Sequence, residues 1–206
     1  YGMVQFTPSY FSKRSGFVIN QLSGGGCEHM GNFPTFPVKG KLKMSPDNIL
    51  NYRINISEEK GHAGYYEAMV QEDIKAKLTV TERTGMASYE YPADQQYGTV
   101  IIGGGISATP IEQAAIVITA PNKCEGYAEG GNFCGLRTPY KVYFVAEFDA
   151  DALESGTWKR DELKPNTTFA EGEYSGVYFT FDVSKKKNVQ YKIGVSYVSV
   201  ENAREN

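Results

Sequence analysis

Long apolar runs are missing from this chain. Nowhere do about 18 apolar residues follow one another, so no helical membrane span is expected. Histidine is confined to His29 and His62, and cysteine to Cys27, Cys124 and Cys134. None of these residues forms a CxxC pair or a zinc-ligand spacing, which argues against a structural metal within the chain. A basic excess is lacking too: 21 Lys and Arg stand against 24 Asp and Glu, a formal charge of -3. Without a positive field, nucleic acid and anionic membrane surfaces are poor partners, and a neutral ligand fits better. Helical periodicity is scarce. Ser45–Leu50 offers one turn, and Ser199 is a plausible N-cap for the segment that follows it. Parallel α/β folds are therefore excluded. The charged start of a signal peptide is also absent. The chain opens on the strand-like run Tyr1–Phe6 and closes on Ser199–Asn206, which reads as a helix just beginning, so both ends are expected to be cuts from a longer protein.

What the chain does contain is β-forming material. Fifteen Tyr, eleven Phe and 22 Gly describe aromatic strands joined by tight turns, and 41% hydrophobic residues suffice for a core. The dominant period is two. Ile74, Ala76, Leu78 and Val80 alternate with Lys75, Lys77, Thr79 and Thr81, the signature of a half-buried strand. The same alternation marks 52–56, 140–148, 177–181 and 189–195; further strands are expected at 65–70, 88–91, 99–102 and 114–119. The expectation is one antiparallel two-sheet β-sandwich over residues 1–206, all-β with little helix. Its core should come from Ile54, Ile56, Leu78, Val80, Val142, Phe144, Phe179, Phe181, Ile193 and Val195. Asp151–Gly172, poor in apolar residues, reads as a long surface loop.

Candidate chemistry is sparse. Gly24-Gly25-Gly26-Cys27 bares the backbone to close approach, but no Lys-Ser/Thr pair or helix follows to make a phosphate cradle. It reads as a close-packed turn or a sugar-contacting loop. Cys27 with nearby His29 lacks the distant third partner of a nucleophilic site, so a small packed thiol is the simpler reading. Gly103-Gly104-Gly105 has no helix after it and makes no dinucleotide fingerprint. Cys124 and Cys134 flank a Gly-rich turn and either pair in an oxidising compartment, leaving Cys27 as the odd one, or stay as buried thiols. Glu67, Glu147 and Asp149 lie in or beside alternating strands, where a solvated face explains each carboxylate, and none stands out as catalytic. Asn55-Ile56-Ser57 and Asn166-Thr167-Thr168 match the N-glycosylation pattern, which is common by chance.

Taken in order, the motifs resemble the N-terminal domain of glycoside hydrolase family 92. Tyr1–Pro8 resembles that family's "PFGMVQLSPD", Gly16–Cys27 its "GFSHTHLSGTGC" loop, and Gly31–Pro34 its "GDIPVLP". Gly64–Tyr66 resembles "PGYYSV" and Leu78–Gly85 resembles "LTATERTG"; Gly131–Gly135 with Tyr140–Phe148 is similar to "GGFCG" and "YSVYFVAEF". Gly194–Ala203 is similar to "GISYVSVEGAR". Together these motifs cover nearly the whole chain.

The resemblance implies a galactose-mutarotase-like supersandwich that precedes a helical linker and an (α/α)-barrel, neither of which is in this sequence. It implies an inverting, calcium-dependent α-mannosidase acting on terminal α-mannosides of glycans, periplasmic or extracellular. The acid, the base and the calcium ligands would lie in the barrel, so no catalytic residue, no metal and no activity are expected here. The sandwich would contribute a pocket loop, with sugar contacts at Gln21, Ser23, Gly25, Gly26 and Cys27. Ile19 or Gln21 stands where the family often has His, which bears on linkage preference. The loop is expected at the sandwich edge, facing the catalytic domain, with Phe33 and Phe36 left exposed. A stand-alone carbohydrate-binding module using its tyrosines as a platform is the alternative, and a structural or adhesin-like module a third reading.

Overall fold

The computed structural model describes residues 3–9, 16–21, 26–47 and 55–206. Chain order begins with β1 (Thr7–Pro8), β2 (Phe17–Val18), β3 (Thr35–Lys39), β4 (Ile56–His62), β5 (Tyr65–Val70), β6 (Ile74–Val80), β7 (Thr84–Glu90) and β8 (Tyr97–Ile102). It continues with β9 (Ile111–Ala120), β10 (Lys123–Phe133), β11 (Leu136–Phe148), β12 (Glu154–Lys159), β13 (Glu162–Pro165), β14 (Phe169–Glu171), β15 (Ser175–Asp182) and β16 (Asn188–Ser196). Helix α1 (Val200–Glu205) closes it. Among the described residues the strands form two antiparallel sheets. One has the order β1-β2-β3-β8-β15-β12-β13, the other β14-β9-β10-β11-β16-β7-β6-β5-β4.

Alternation positions the core. Ile74, Ala76 and Leu78 of β6 point inward beside Ala87 and Tyr89 of β7, while Lys75 and Lys77 face out. Val142, Phe144, Val189, Tyr191, Ile193 and Val195 extend that face across the larger sheet. Phe179 and Phe181 of the smaller sheet meet it through Phe148, at ring separations of 4.8 and 5.1 Å. Of the expected core, Leu78, Val142, Phe144, Phe179, Phe181, Ile193 and Val195 are buried. Ile56 and Val80 are only partly buried, because β4 is an edge strand and Val80 ends its strand at the Thr81–Thr84 turn. Ile54 lies outside the described residues.

Several expectations need correction. Asp151–Gly172 is not a loop: it holds β12, β13 and β14, paired through their backbones with β15 and β9. Of Tyr1–Phe6, the described residues 3–6 form no strand, and the ladder here is only Thr7–Pro8 against Phe17–Val18. Of Ser45–Leu50, the described part is a turn in which Asp47 N–H donates to the Ser45 hydroxyl. The segment between Cys124 and Cys134 is not a Gly-rich turn but β10 itself, which runs to Phe133. Ser199 does cap α1, its hydroxyl accepting from the Asn202 N–H at 3.2 Å.

Candidate functional site

The site grows from the return between β2 and β3. Ile19 N–H donates to the Asn32 carbonyl at 3.2 Å and Gly31 N–H to the Asn20 carbonyl at 2.9 Å. Gln21 bridges Met30, so the stretch from Gln21 to Met30 leaves and re-enters the sheet through a closed base. Met30, Gly31 and Phe33 all take positive φ, the cost of turning so tightly. Of the expected sugar-contacting residues, Ser23 and Gly25 lie outside the described ones. Gln21 sits at the base, Gly26 is exposed with φ +75 and open space where a Cβ would stand, and Cys27 is partly exposed.

Cys27 is bonded to Cys134, with Cα atoms 5.4 Å apart. This corrects the expected pairing. Cys124 faces the core from one end of β10 while Cys134 lies past the other, roughly 30 Å away at strand rise, far beyond disulfide reach. Cys124 is the buried free thiol, and burial pushes its pKa well up. Sequence reasoning missed the bond because its partners are 107 residues apart and meet only when the β10–β11 hairpin folds over the loop.

Beneath the disulfide lies a ring and amide cluster. His29 is buried, its ring 5.3 Å from Phe133 and 5.4 Å from Tyr140. Tyr140 donates to Asn32 Oδ1 at 2.8 Å, and burial pushes its phenol up to about 12. Asn32 N–H donates to Asn20 Oδ1 at 2.8 Å; Asn20 Nδ2 donates to the Tyr197 hydroxyl at 3.2 Å. The strand end after β16 is thereby joined to the loop base. His29 Nδ1 and Asn32 Nδ2 are buried without a hydrogen-bond partner, so this end carries unused polar capacity. Phe33 and Phe36, expected at the surface, are buried in the core instead: the Phe33 ring packs tilted against Phe144 at 4.3 Å.

The carboxylates named from sequence do not converge. Glu67 accepts from Tyr65 at 2.8 Å and pairs with Lys75, which holds its pKa below the ordinary range. Glu147 pairs with Lys123, and Asp149 with Lys186. A calcium ion needs six to eight oxygen ligands, and among the described residues no three His, Cys, Asp or Glu gather into a metal-binding group. The described residues do not fit that ion. A cleft of about 450 Å³ lies elsewhere, between α1 and the outer face of the larger sheet, lined by Thr84, Met86, Glu147, Lys192 and Arg204. On the same sheet Tyr127 and Tyr143 pair at 6.1 Å, but the Lys141 ammonium sits 3.9 Å over Tyr127 and covers that ring. A sugar-stacking platform would need the face clear.

Two antiparallel sheets of seven and nine described strands, with a disulfide-tied loop at one end, define a large two-sheet β-sandwich domain. The family profile described as the glycosyl hydrolase family 92 N-terminal domain matches residues 1–196, and the chain belongs to that family. Solved structures share the fold. A family GH92 inverting mannosidase from Bacteroides thetaiotaomicron superposes with TM-score 0.80 at 22% identity, over 100% of this chain and 28% of that one. An α-mannosidase of the same family and organism, in complex with mannoimidazole, gives 0.79 at 23% identity, over 93% and 27%. Another GH92 glycosyl hydrolase gives 0.80 at 20% identity, over 99% and 30%. The chain thus spans less than a third of the length of these relatives. Among curated proteins no match is found.

Proposed function

We propose that this chain is the N-terminal sandwich of an inverting, calcium-dependent α-mannosidase that removes terminal α-mannosyl residues from glycans in the periplasm or outside the cell. The observation that carries the reading is the family match over nearly the whole sequence, in a chain that spans under a third of its solved mannosidase relatives. Inversion requires two carboxyl groups roughly 6.5–9.5 Å apart, with room for water. Glu67, Glu147 and Asp149, the carboxylates that stand in or beside the alternating strands, are each tied to a lysine, and the reading places the acid, the base and the calcium chemistry in the C-terminal barrel. An oxidising compartment is supported by the Cys27–Cys134 bond.

The sandwich's own part is to bind and orient. Gln21, Ser23, Gly25, Gly26 and Cys27 form the loop that lines the mannoside pocket against the barrel, where a bare backbone lets sugar hydroxyls come close. Gly26 tests this, since a side chain there would enter open space that the sugar is to occupy. Gly40 provides the control: its φ is +74, its Cβ position is equally open, and it lies at the far end of β3. Strain should cost each valine variant a similar amount, about 1 kcal/mol. In the full-length enzyme Gly26→Val should lower kcat/KM by about 100-fold, while Gly40→Val should leave it near the parent value. Equal kcat/KM in the two folded variants would remove the loop from the pocket.

A further inference from the structure

The turn that ends β10 carries an unusual choice of residue. Phe133 pairs with Leu136, so Cys134 and Gly135 are its two central positions, both with positive φ, at 53 and 82. A two-residue hairpin of this kind favours Asn or Asp followed by Gly, since other side chains are strained in the left-handed region. Gly135 satisfies the second position. Cys134 takes the first, a left-handed φ that Gln71 and Arg160 also hold in the β5–β6 and β12–β13 turns, and what sets Cys134 apart is its sulfur. What the sulfur does is hold Cys27, next to the exposed Gly26. The base of the loop has its own backbone bonds at Ile19, Asn20 and Gln21. Among the described residues its outer part meets the hairpin through the packing of His29 on Phe133 and Tyr140, and the Cys27–Cys134 bond adds a covalent tie.

We propose that Cys134 is a positioning residue: through its bond to Cys27 the β10–β11 hairpin holds Gly26 and Cys27 in place, and reduction lets residues 26–32 shift while the sandwich stays closed. The inference rests on the loop's role proposed above. Cys134 is exposed and Cys27 partly so, so a thiol reductant can reach the bond. A dithiol thiolate attacks one cysteine sulfur to give a mixed disulfide and release the other as thiolate. The reductant's second thiol then displaces the first cysteine and closes to a cyclic disulfide, so two electrons and two protons pass to Cys27 and Cys134. Cys124 takes no part, being fully buried on the core face of β10.

Hydrogen exchange on this chain, oxidised and with dithiothreitol, tests the clamp without any sugar. Exchange in peptides spanning 26–32 and 133–136 should rise by about tenfold on reduction, while 142–148 and 189–195 keep their protection. Iodoacetamide should then label two cysteines in the native protein and the third only after unfolding. No change at 26–32, or a rise across the core strands as well, would overturn the proposal. Function is read in the full-length enzyme with Cys134→Ser and with the double variant Cys27→Ser/Cys134→Ser. Both should raise KM for an aryl α-mannoside by about tenfold with kcat little changed, and dithiothreitol should add nothing further. An unchanged KM, where Gly26→Val does impair hydrolysis, would sink the clamp alone; failure of Gly26→Val itself would sink the loop's role.

Discussion

At the scale of single residues, the loop end depends on Asn32. Its side chain is fully buried, receives the Tyr140 hydroxyl at 2.8 Å and keeps its Nδ2 unpartnered. Tyr140→Phe would leave Oδ1 without its donor in a dry setting, and an unmet buried polar group costs about 1–3 kcal/mol. The urea midpoint of Tyr140→Phe should fall by that free energy divided by m, with m itself unchanged, since the surface exposed on unfolding is the same. A midpoint equal to the parent's would mean that water already serves Asn32. The backbone carries a comparable demand. Met30, Phe33 and Cys134, none of them glycine, take left-handed φ here, as Gln71, Glu72 and Arg160 do in turns elsewhere in the chain.

Among the elements, legibility followed from whether side chains or backbone made the strand. β5 and β6 were readable almost to the residue, because alternating Ile74, Ala76 and Leu78 face the core and the lysines between them face water. β4 was not: as an edge strand it presents Ser57, Glu58, Glu59 and Lys60 to solvent, and charge on an edge guards against pairing with other chains. β12, β13 and β14 were hidden for a related reason, being short and held chiefly by ladder hydrogen bonds that leave no apolar period. The candidate loop was singled out by its glycines and by the family motifs. The loop could be located along the chain, but its tie to Cys134 arises from a hairpin that no local pattern announces. Periodicity also overstated the core at strand ends, which gives a quantitative check on β6. Leu78→Ala, at 1% exposure, should cost about 2–5 kcal/mol, whereas Val80→Ala at the half-buried end should cost roughly 1 kcal/mol in the same denaturation assay.

For the whole molecule the deciding feature is a set of phenols sealed between the sheets. Tyr191 donates to the Thr35 hydroxyl at 2.6 Å, Tyr89 and Tyr191 approach at 3.1 Å, and Tyr91 donates to the Thr99 carbonyl at 2.9 Å. These bonds join β3 and β8 of one sheet to β16, β7 and the residue that follows β7 in the other, so they fix how the sheets register. Burial pushes Tyr89 up to about 12, and Tyr91 and Tyr191 well above the usual phenol value. In the unfolded chain each phenol ionises near 10. The folded state therefore holds protons that the unfolded state has shed, and stability must fall as pH climbs past that value. The contribution is fully present below about pH 10 and is lost as pH rises through about 12. Acid should matter less, because, of the carboxylates with lowered pKa, Asp182 and Glu201 are solvent-exposed and screened, and Glu67 is only partly buried. The expected outcome is a stability plateau through neutral pH and a cooperative alkaline transition. Phenolate absorbance should appear together with the loss of β-structure circular dichroism, since these tyrosines cannot ionise until the sheets part. Full ionisation of all fifteen tyrosines before any loss of the β signal would show that the sheet interface is wet, and would remove this network from the forces that hold the two sheets together.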